Sequence, residues 1–279
     1  MTRNNTSLHK LRRDKRAVSP AISTVVLTSA VVVLLIVTIA FANNFLDARL
    51  AENEFTAMEQ FMQTVGLQID DVAWIMGRTQ TIRYTSKYGQ VSLENEALVY
   101  SVYVDDVLFA NYSVGVLLFN MPVSKYSVGN NYYESIFPLD RSFLHEGTSA
   151  PVSYVYARER LPMLDGSFIR VVVTPTIRML NSTISMGEEE NKYFKFYLPV
   201  LTNGTSPYHS QSVTLTGKNV SVKTEGNVNE VKIQISFPRM DEFFDSLFFN
   251  FEEGEEVVNV RDGSIIEFYT SEVSVSIGL

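Results

Sequence analysis

The distribution of apolar and polar residues divides the chain into three parts. Residues 1–16 are polar and mostly basic, residues 17–46 contain no charged side chain, and from residue 79 apolar residues often alternate with polar ones. About 20 apolar residues in a helix are enough to cross the roughly 30 Å core of a bilayer. The pattern therefore predicts three segments: a basic N-terminal segment, a long helix that runs to residue 78 with a membrane span at about residues 18–42, and a β-rich domain at residues 79–279.

Two other interpretations of the apolar stretch stay open. A secretory signal peptide has a shorter apolar region, of about 7–15 residues, but the triplet Ala40–Phe41–Ala42 resembles a signal-peptidase site. A buried helix of a soluble protein is rarely free of charge over such a length. We favour a retained membrane span, because the length of the stretch matches a bilayer and exceeds that of a signal peptide.

Three residues define the start of the predicted membrane helix. Ser19 can cap the first turn, and Pro20 then takes the first helical position, where its missing N–H costs nothing. Ile22 belongs to the apolar run after them. At the other end, Gly77 is expected to stop the helix, because glycine readily adopts the left-handed conformation that closes many helices.

Charge predicts how the chain is oriented in the membrane. Six of the 23 basic residues but one of the 31 acidic residues lie in residues 1–16. Basic residues that flank a span stay in the cytoplasm, so we expect a cytoplasmic N-terminus, a single pass through the cell membrane and an extracellular C-terminal domain. The remainder of the chain is strongly acidic, which argues against a nucleic acid as a partner.

Residues 55–76 show apolar positions at alternating steps of three and four. This spacing is that of a heptad repeat, in which one face of a helix packs against a partner. The same register extends backwards through Ala51, Ala48 and Phe41. Two interpretations stay open: the helix lies on its own globular domain, or its first half packs against copies of itself. We call these positions the helix seam: Phe55, Met58, Met62, Val65, Ile69, Val72 and Met76.

The C-terminal part predicts a β-rich domain. Leu98, Tyr100, Val102 and Val104 fall on one face of a strand, and Asp105–Asp106 offers a two-residue hairpin turn. Many short strands with turn signals between them favour an antiparallel β-sandwich, which gives an α+β fold class overall. Two local predictions are more specific: three short strands at residues 212–237, broken at Gly217 and Gly226, and one short helix at residues 240–249, capped by Asp241.

Catalytic and metal-binding signatures are missing from the sequence. The chain has no cysteine and three scattered histidines, and it contains no glycine-rich phosphate loop, nucleophile elbow or His-Glu-x-x-His motif. Two acidic clusters, Glu188–Glu190 and Glu252–Glu256, lack the spacing of an EF-hand calcium loop and are interpreted as solvated loops. We expect no enzyme activity, no cofactor and no metal.

Four Asn-x-Ser/Thr sequons lie in the predicted exported domain, where N-glycosylation would be compatible with an outer surface. The candidate asparagines are Asn111, Asn181, Asn203 and Asn219.

The segment from Lys15 to Val33, KRAVSPAISTVVLTSAVVV, resembles the N-terminus of archaeal type IV pilin-like proteins. The resemblance implies that a prepilin-type peptidase recognises Arg16 and Ala17 and cuts between Ala17 and Val18. Residues 1–17 would then be a basic cytoplasmic leader, residues 18–78 the long helix and residues 79–279 the exported domain. Ser19, Pro20 and Ile22 would belong to the mature helix. In this family the helix is kept after cleavage and packs in the core of a filament.

The leading hypothesis is therefore a pilin-like subunit of an archaeal surface filament or pseudopilus. Its partners would be the membrane, the prepilin-type peptidase, and further copies of itself or other pilin-like subunits. The alternative is a membrane-anchored extracellular module for binding or adhesion, held by an uncleaved or trimmed helix. An exported hydrolase is a third hypothesis, which no motif in the sequence favours.

Overall fold

The computed structural model describes residues 15–160, 167–186, 189–205 and 210–278, and at residues 15–21, 185, 186, 189–191, 261 and 262 it describes the backbone alone. It has the predicted α+β class, with one long N-terminal helix followed by a large, mostly antiparallel sheet. The helices are α1 (Lys15–Ala73) and α2 (Ser246–Phe249), with a 3-10 turn at Met240–Glu242. The strands are β1 (Thr79–Arg83), β2 (Gln90–Val104), β3 (Val107–Pro122), β4 (Tyr133–Phe137), β5 (Leu144–Glu146), β6 (Ser153–Glu159), β7 (Phe168–Pro175), β8 (Ile177–Met186), β9 (Glu189–Asn203), β10 (Ser212–Ser236) and β11 (Glu255–Gly278).

Two compact units divide the chain between Arg49 and Leu50. The described part of the first unit is the portion of α1 up to Arg49. The second unit contains the rest of α1 and all of the strands.

Both ends of α1 differ from the prediction. The helix already includes Lys15, so Ser19 and Pro20 lie inside its first two turns and do not start it. It ends at Ala73, five residues before the predicted limit. Gly77 has a φ of +79° and lies in the turn beyond the helix, where its N–H donates to the carbonyl oxygen of Gly217 at 2.8 Å. The helix stops early because the chain after Ala73 bonds to β10 instead.

Hydrogen bonds connect all eleven strands into one sheet. Its order is β4-β6-β7-β3-β2-β10-β11-β9-β8-β5, and β1 pairs with β10 off this path. The pairs β11–β9 and β5–β8 are parallel, and the others are antiparallel. The sheet curls, because Tyr112 of β3 stacks on Phe268 of β11 with ring centres 5.0 Å apart although β2 and β10 lie between these strands. Gly115 of β3 permits a close approach to β9 in the same curl, since a Cβ there would stand 2.7 Å from the carbonyl oxygen of Leu201.

The hairpin between β2 and β3 confirms the predicted two-residue turn. Asp105 and Asp106 have φ values of 46° and 64°, which is the left-handed pair that a type I′ turn requires. The side chain of Asp105 stabilises this turn by accepting hydrogen bonds from the backbone N–H groups of Asn229 and Glu230, at 3.1 and 3.0 Å.

The prediction of three short strands at residues 212–237 is wrong. These residues form the single 25-residue strand β10. The register against β11 shifts between Gly217 and Asn219 and again between Glu225 and Glu230. The two glycines therefore mark irregularities within one strand, because pairing with β11 continues on both sides of each.

Two apolar cores lie on opposite faces of the sheet. The inner core is enclosed by the curled sheet and includes Tyr100, Tyr154, Phe196 and Phe268. The second core lies between the sheet and residues 51–73 of α1. Successive residues of β3 alternate between the two cores, which is why its central part is buried on both faces.

The connection from β10 to β11 closes one end of the inner core with phenylalanines. Phe244, Phe248 and Phe249 are fully or almost fully buried in it. The short helix α2 begins at an N-cap formed by Asp245, whose carboxylate accepts the N–H of Phe248 at 2.8 Å. The predicted cap, Asp241, lies in the preceding 3-10 turn instead.

Candidate assembly surface

The first unit presents an apolar helical surface. All side chains from Ile22 to Arg49 are exposed, and the large apolar ones are exposed by about half or more, up to 72% for Phe41. Within the described residues, α1 is the one helix long and apolar enough to span a membrane, with a mean hydropathy of 2.9 over its most apolar window. We call residues 22–46 the apolar segment.

Three hydroxyl groups inside the apolar segment have partners within the helix. Ser29 Oγ donates to the carbonyl oxygen of Val25, and Thr38 Oγ1 to that of Leu34, both at 2.7 Å. Thr28 Oγ1 makes the same kind of bond. A hydroxyl bonded to its own helix enters a lipid or protein interior at a lower cost than a free one, because its O–H donor keeps its partner.

The residues of the predicted processing site lie in the first turn of α1. Arg16, Ala17 and Val18 have helical backbone, and their side chains lie outside what the structure describes. Pro20 is the sixth residue of the helix as it stands, so the carbonyl of Arg16 lacks the N–H that normally bonds to it. A helix that started at Ser19 would remove this defect, because Pro20 would then precede the first required N–H.

The helix seam packs against the chain's own sheet. Six of its seven residues are at most 2% exposed, and they contact residues of β3, β6 and β7 in the second core. Met76 is the exception, since it lies beyond the end of α1 and is 68% exposed. The register continues to Ala51, which is buried, whereas Ala48 and Phe41 are exposed. The interpretation of a helix lying on its own domain therefore holds from Ala51 to Ala73.

Polar contacts that no sequence pattern indicated also fix α1 in the second unit. The carboxylate of Glu54 accepts hydrogen bonds from the Ser86 hydroxyl at 2.6 Å and from the backbone N–H groups of Lys87, Tyr88 and Gly89 at 2.9 to 3.3 Å. Burial by itself would raise the pKa of Glu54, but these four donors outweigh it and lower the pKa below 4.5. These four donors lie 32 to 35 residues after Glu54 in the chain, so no local sequence motif could identify them.

The candidate glycosylation residues are all accessible. Asn111, Asn181 and Asn219 lie in β3, β8 and β10, and Asn203 is the last residue of β9. All four are exposed. Their modification stays a prediction, and it is compatible with this placement.

The acidic clusters have other partners where they are described. Glu256 accepts the Ser142 hydroxyl at 2.7 Å, and burial raises its pKa. Glu252 forms an ion pair with Arg141 at 3.7 Å. The side chains of the other cluster, Glu188–Glu190, lie outside the described residues. In the part of the chain that the structure describes, no group of three or more His, Asp or Glu side chains can hold a metal ion.

Comparisons of the chain with protein-family models, with curated proteins and with solved structures returned no match.

Proposed function

We propose that this chain is a pilin-like subunit of an archaeal surface filament or pseudopilus, assembled through the apolar segment of α1. The observation that carries the proposal is that the apolar segment is exposed on all sides, while the hydroxyls of Thr28, Ser29 and Thr38 already have partners within the helix. Such a surface suits two environments in turn: lipid before assembly and neighbouring apolar helices after it.

The two parts of α1 differ in burial, and this difference supports the same proposal. The seam residues between positions 51 and 73 are buried in the second core, so this face of α1 is not available to another subunit. The surface for contacts between subunits is therefore the apolar segment. Its composition, rich in Val, Leu and Ala, fits helix packing driven by van der Waals contact.

The precursor would lie in the membrane with its basic leader in the cytoplasm and its β-rich domain outside. The charges of Lys15 and Arg16 hold the uncut chain in place, because moving each through hydrocarbon costs at least about 2.5 kcal/mol. A prepilin-type peptidase that cuts after Ala17 removes both charges. It also leaves Pro20 close to the new N-terminus, where a proline is well accommodated.

N-terminal sequencing of the protein from its native envelope tests the proposal. The expected mature N-terminus is Val18, on a protein that still partitions with membranes or filaments. An intact N-terminus would instead support the membrane-anchored binding module, and a start at Asn43 would mean that signal peptidase releases the domain. Ala17→Glu should block cleavage, whereas Thr6→Glu, which adds the same charge elsewhere in the leader, should not.

A further inference from the structure

The outer edge of β8 is open over most of its length. β5 pairs with β8 at Ile177, Arg178 and Met179 and then ends, while β8 continues to Met186. No described strand pairs with this side of residues 180–186. Asn181, Ser182, Thr183 and Ile184 are exposed. We call residues 180–186 the free edge.

The hydrogen bonds of the paired part identify which backbone groups the free edge offers. Ile177 N–H donates to the carbonyl oxygen of Phe143 at 2.8 Å, and the carbonyl oxygen of Met179 accepts from Gly147 at 3.0 Å. Odd-numbered residues of β8 therefore point their N–H and C=O outwards. The register with β9 has no shift from Arg178 to Met186, so this alternation continues through residues 181, 183 and 185.

Three other open strand edges of the described sheet carry features that discourage pairing. β4 contains Glu134 and a register shift against β6, and the five-residue β1 ends in Arg83. The part of β10 between its partners β1 and β2 has two irregular regions and carries Lys218 and Lys223. Charges and bulges of this kind protect edges from other chains. The free edge of β8 has the sequence LNSTISM, without charge, proline or bulge.

We propose that the free edge pairs with the free edge of a second copy of this chain, in an antiparallel arrangement centred on Thr183. Thr183 then opposes its own copy, and residue 181 opposes residue 185 in both directions. All three are outward-pointing positions, so about six backbone hydrogen bonds form between the copies.

A second copy suits this edge better than a charged peptide does, because the edge is neutral throughout. In a symmetric pair every residue near the centre meets itself or a close neighbour, and a single charge there would face a like charge. Opposed threonines are a favourable cross-strand pair.

Disulfide trapping tests the pairing, because the chain has no cysteine of its own. Thr183→Cys and Ser182→Cys are made in the full-length protein, produced in a host without N-glycosylation and held in detergent micelles. In the proposed register the two Cα atoms at position 183 are about 5.5 Å apart, within the range of a disulfide, while those at position 182 are more than about 7 Å apart. We expect Thr183→Cys to form the covalent dimer at least about tenfold faster on mild oxidation.

Equal rates for the two variants, or no covalent dimer with either, would overturn the proposal. Association through the apolar segment alone would give equal rates, so the result is independent of the proposed function. In sedimentation, Thr183→Pro should weaken self-association without lowering the unfolding temperature, because the N–H it removes has no described partner within the chain. If the Thr183→Pro variant self-associates as strongly as the wild type, the free edge is not the contact between copies, and the proposal is contradicted.

Discussion

Asp70 of α1 and Arg178 of β8 form a two-point ion pair within the second unit. Arg178 Nη1 lies 2.8 Å from Asp70 Oδ2, and Nη2 lies 3.0 Å from Oδ1. The same carboxylate accepts the indole N–H of Trp74 at 2.7 Å, and the guanidinium lies 5.4 Å from the ring centre of Tyr197. One side chain of β8 thus links the C-terminal part of α1 to the sheet.

Arg178→Lys should destabilise the protein by about 1–2 kcal/mol, because one ammonium group cannot replace two parallel hydrogen bonds and a stacked plane. Thermal unfolding of the full-length protein in micelles measures the change. Arg83→Lys, at an exposed position of β1, is the matched control and should leave the midpoint unchanged. Equal midpoints for the two variants would mean that the two-point geometry and the stacked plane contribute nothing beyond a single ion pair.

A second contact point of α1 depends on a glycine. Ser153 Oγ donates to the carbonyl oxygen of Gly66 at 2.9 Å, and a Cβ on Gly66 would stand 2.8 Å from Val155 Cγ2. Gly66→Ala should therefore cost about 1–3 kcal/mol through overpacking, even though alanine favours a helix by about 1 kcal/mol. Gly226→Ala, where a Cβ meets nothing within 4 Å, should be neutral in the same unfolding assay.

Local periodicity in the sequence was enough to predict part of the fold. Alternation in β2 identified Tyr100 and Val102 as buried, and the pair Asp105–Asp106 identified the hairpin, because both signals lie within a few neighbouring residues. The seam spacing identified the buried face of α1, but spacing alone does not say which surface covers that face. The covering surface comes from strands as far apart in the chain as β2 and β11.

The errors of prediction have a common physical cause. Gly217 was expected to end a strand, but its N–H donates to the carbonyl oxygen of Arg78 at 3.0 Å, so a distant segment holds it inside β10. Asp241 and Asp245 are both plausible helix caps, and packing of Phe248 in the inner core favours the second. The apolar segment was predictable from composition, whereas the free edge of β8 was not, because an edge exists only once the order of strands is known.

The buried face of α1 predicts a sharp contrast between two neighbouring positions. Met62 is fully buried in the second core, and Thr64 is exposed on the other side of the helix. Met62→Asp should cost on the order of 3–5 kcal/mol, because it places an unpaired charge in an apolar interior. Thr64→Asp adds the same charge at the surface and should change stability by less than about 0.5 kcal/mol. Similar unfolding midpoints would contradict the packing of the seam.

Glu59 lies five residues after Glu54 in α1, but its environment raises its pKa, whereas the hydrogen-bond donors around Glu54 lower the pKa of that residue. Burial and then the nearby carboxylate of Glu134 raise the pKa of Glu59 from 4.5 to about 7. Tyr132 donates its hydroxyl to Glu134, and burial is the main cause that raises the pKa of Tyr126, with Glu52, Glu59 and Glu159 adding to it. Glu59 therefore lies among acidic and phenolic groups, without a described basic partner.

This environment predicts that stability falls as the pH rises from about 4.5 to about 7. The folded protein binds the proton of Glu59 more tightly than the unfolded chain does, so the contribution is complete below pH 4.5 and is lost as the pH passes 7. At pH 8 Glu59→Gln should be more stable than the wild type by on the order of 1 kcal/mol, since solvent screens the half-buried carboxyl. At pH 4.5 the difference should vanish. Glu253→Gln, at an exposed position, should follow the wild type at both values in thermal unfolding, and a Glu59→Gln curve parallel to it would refute the assignment.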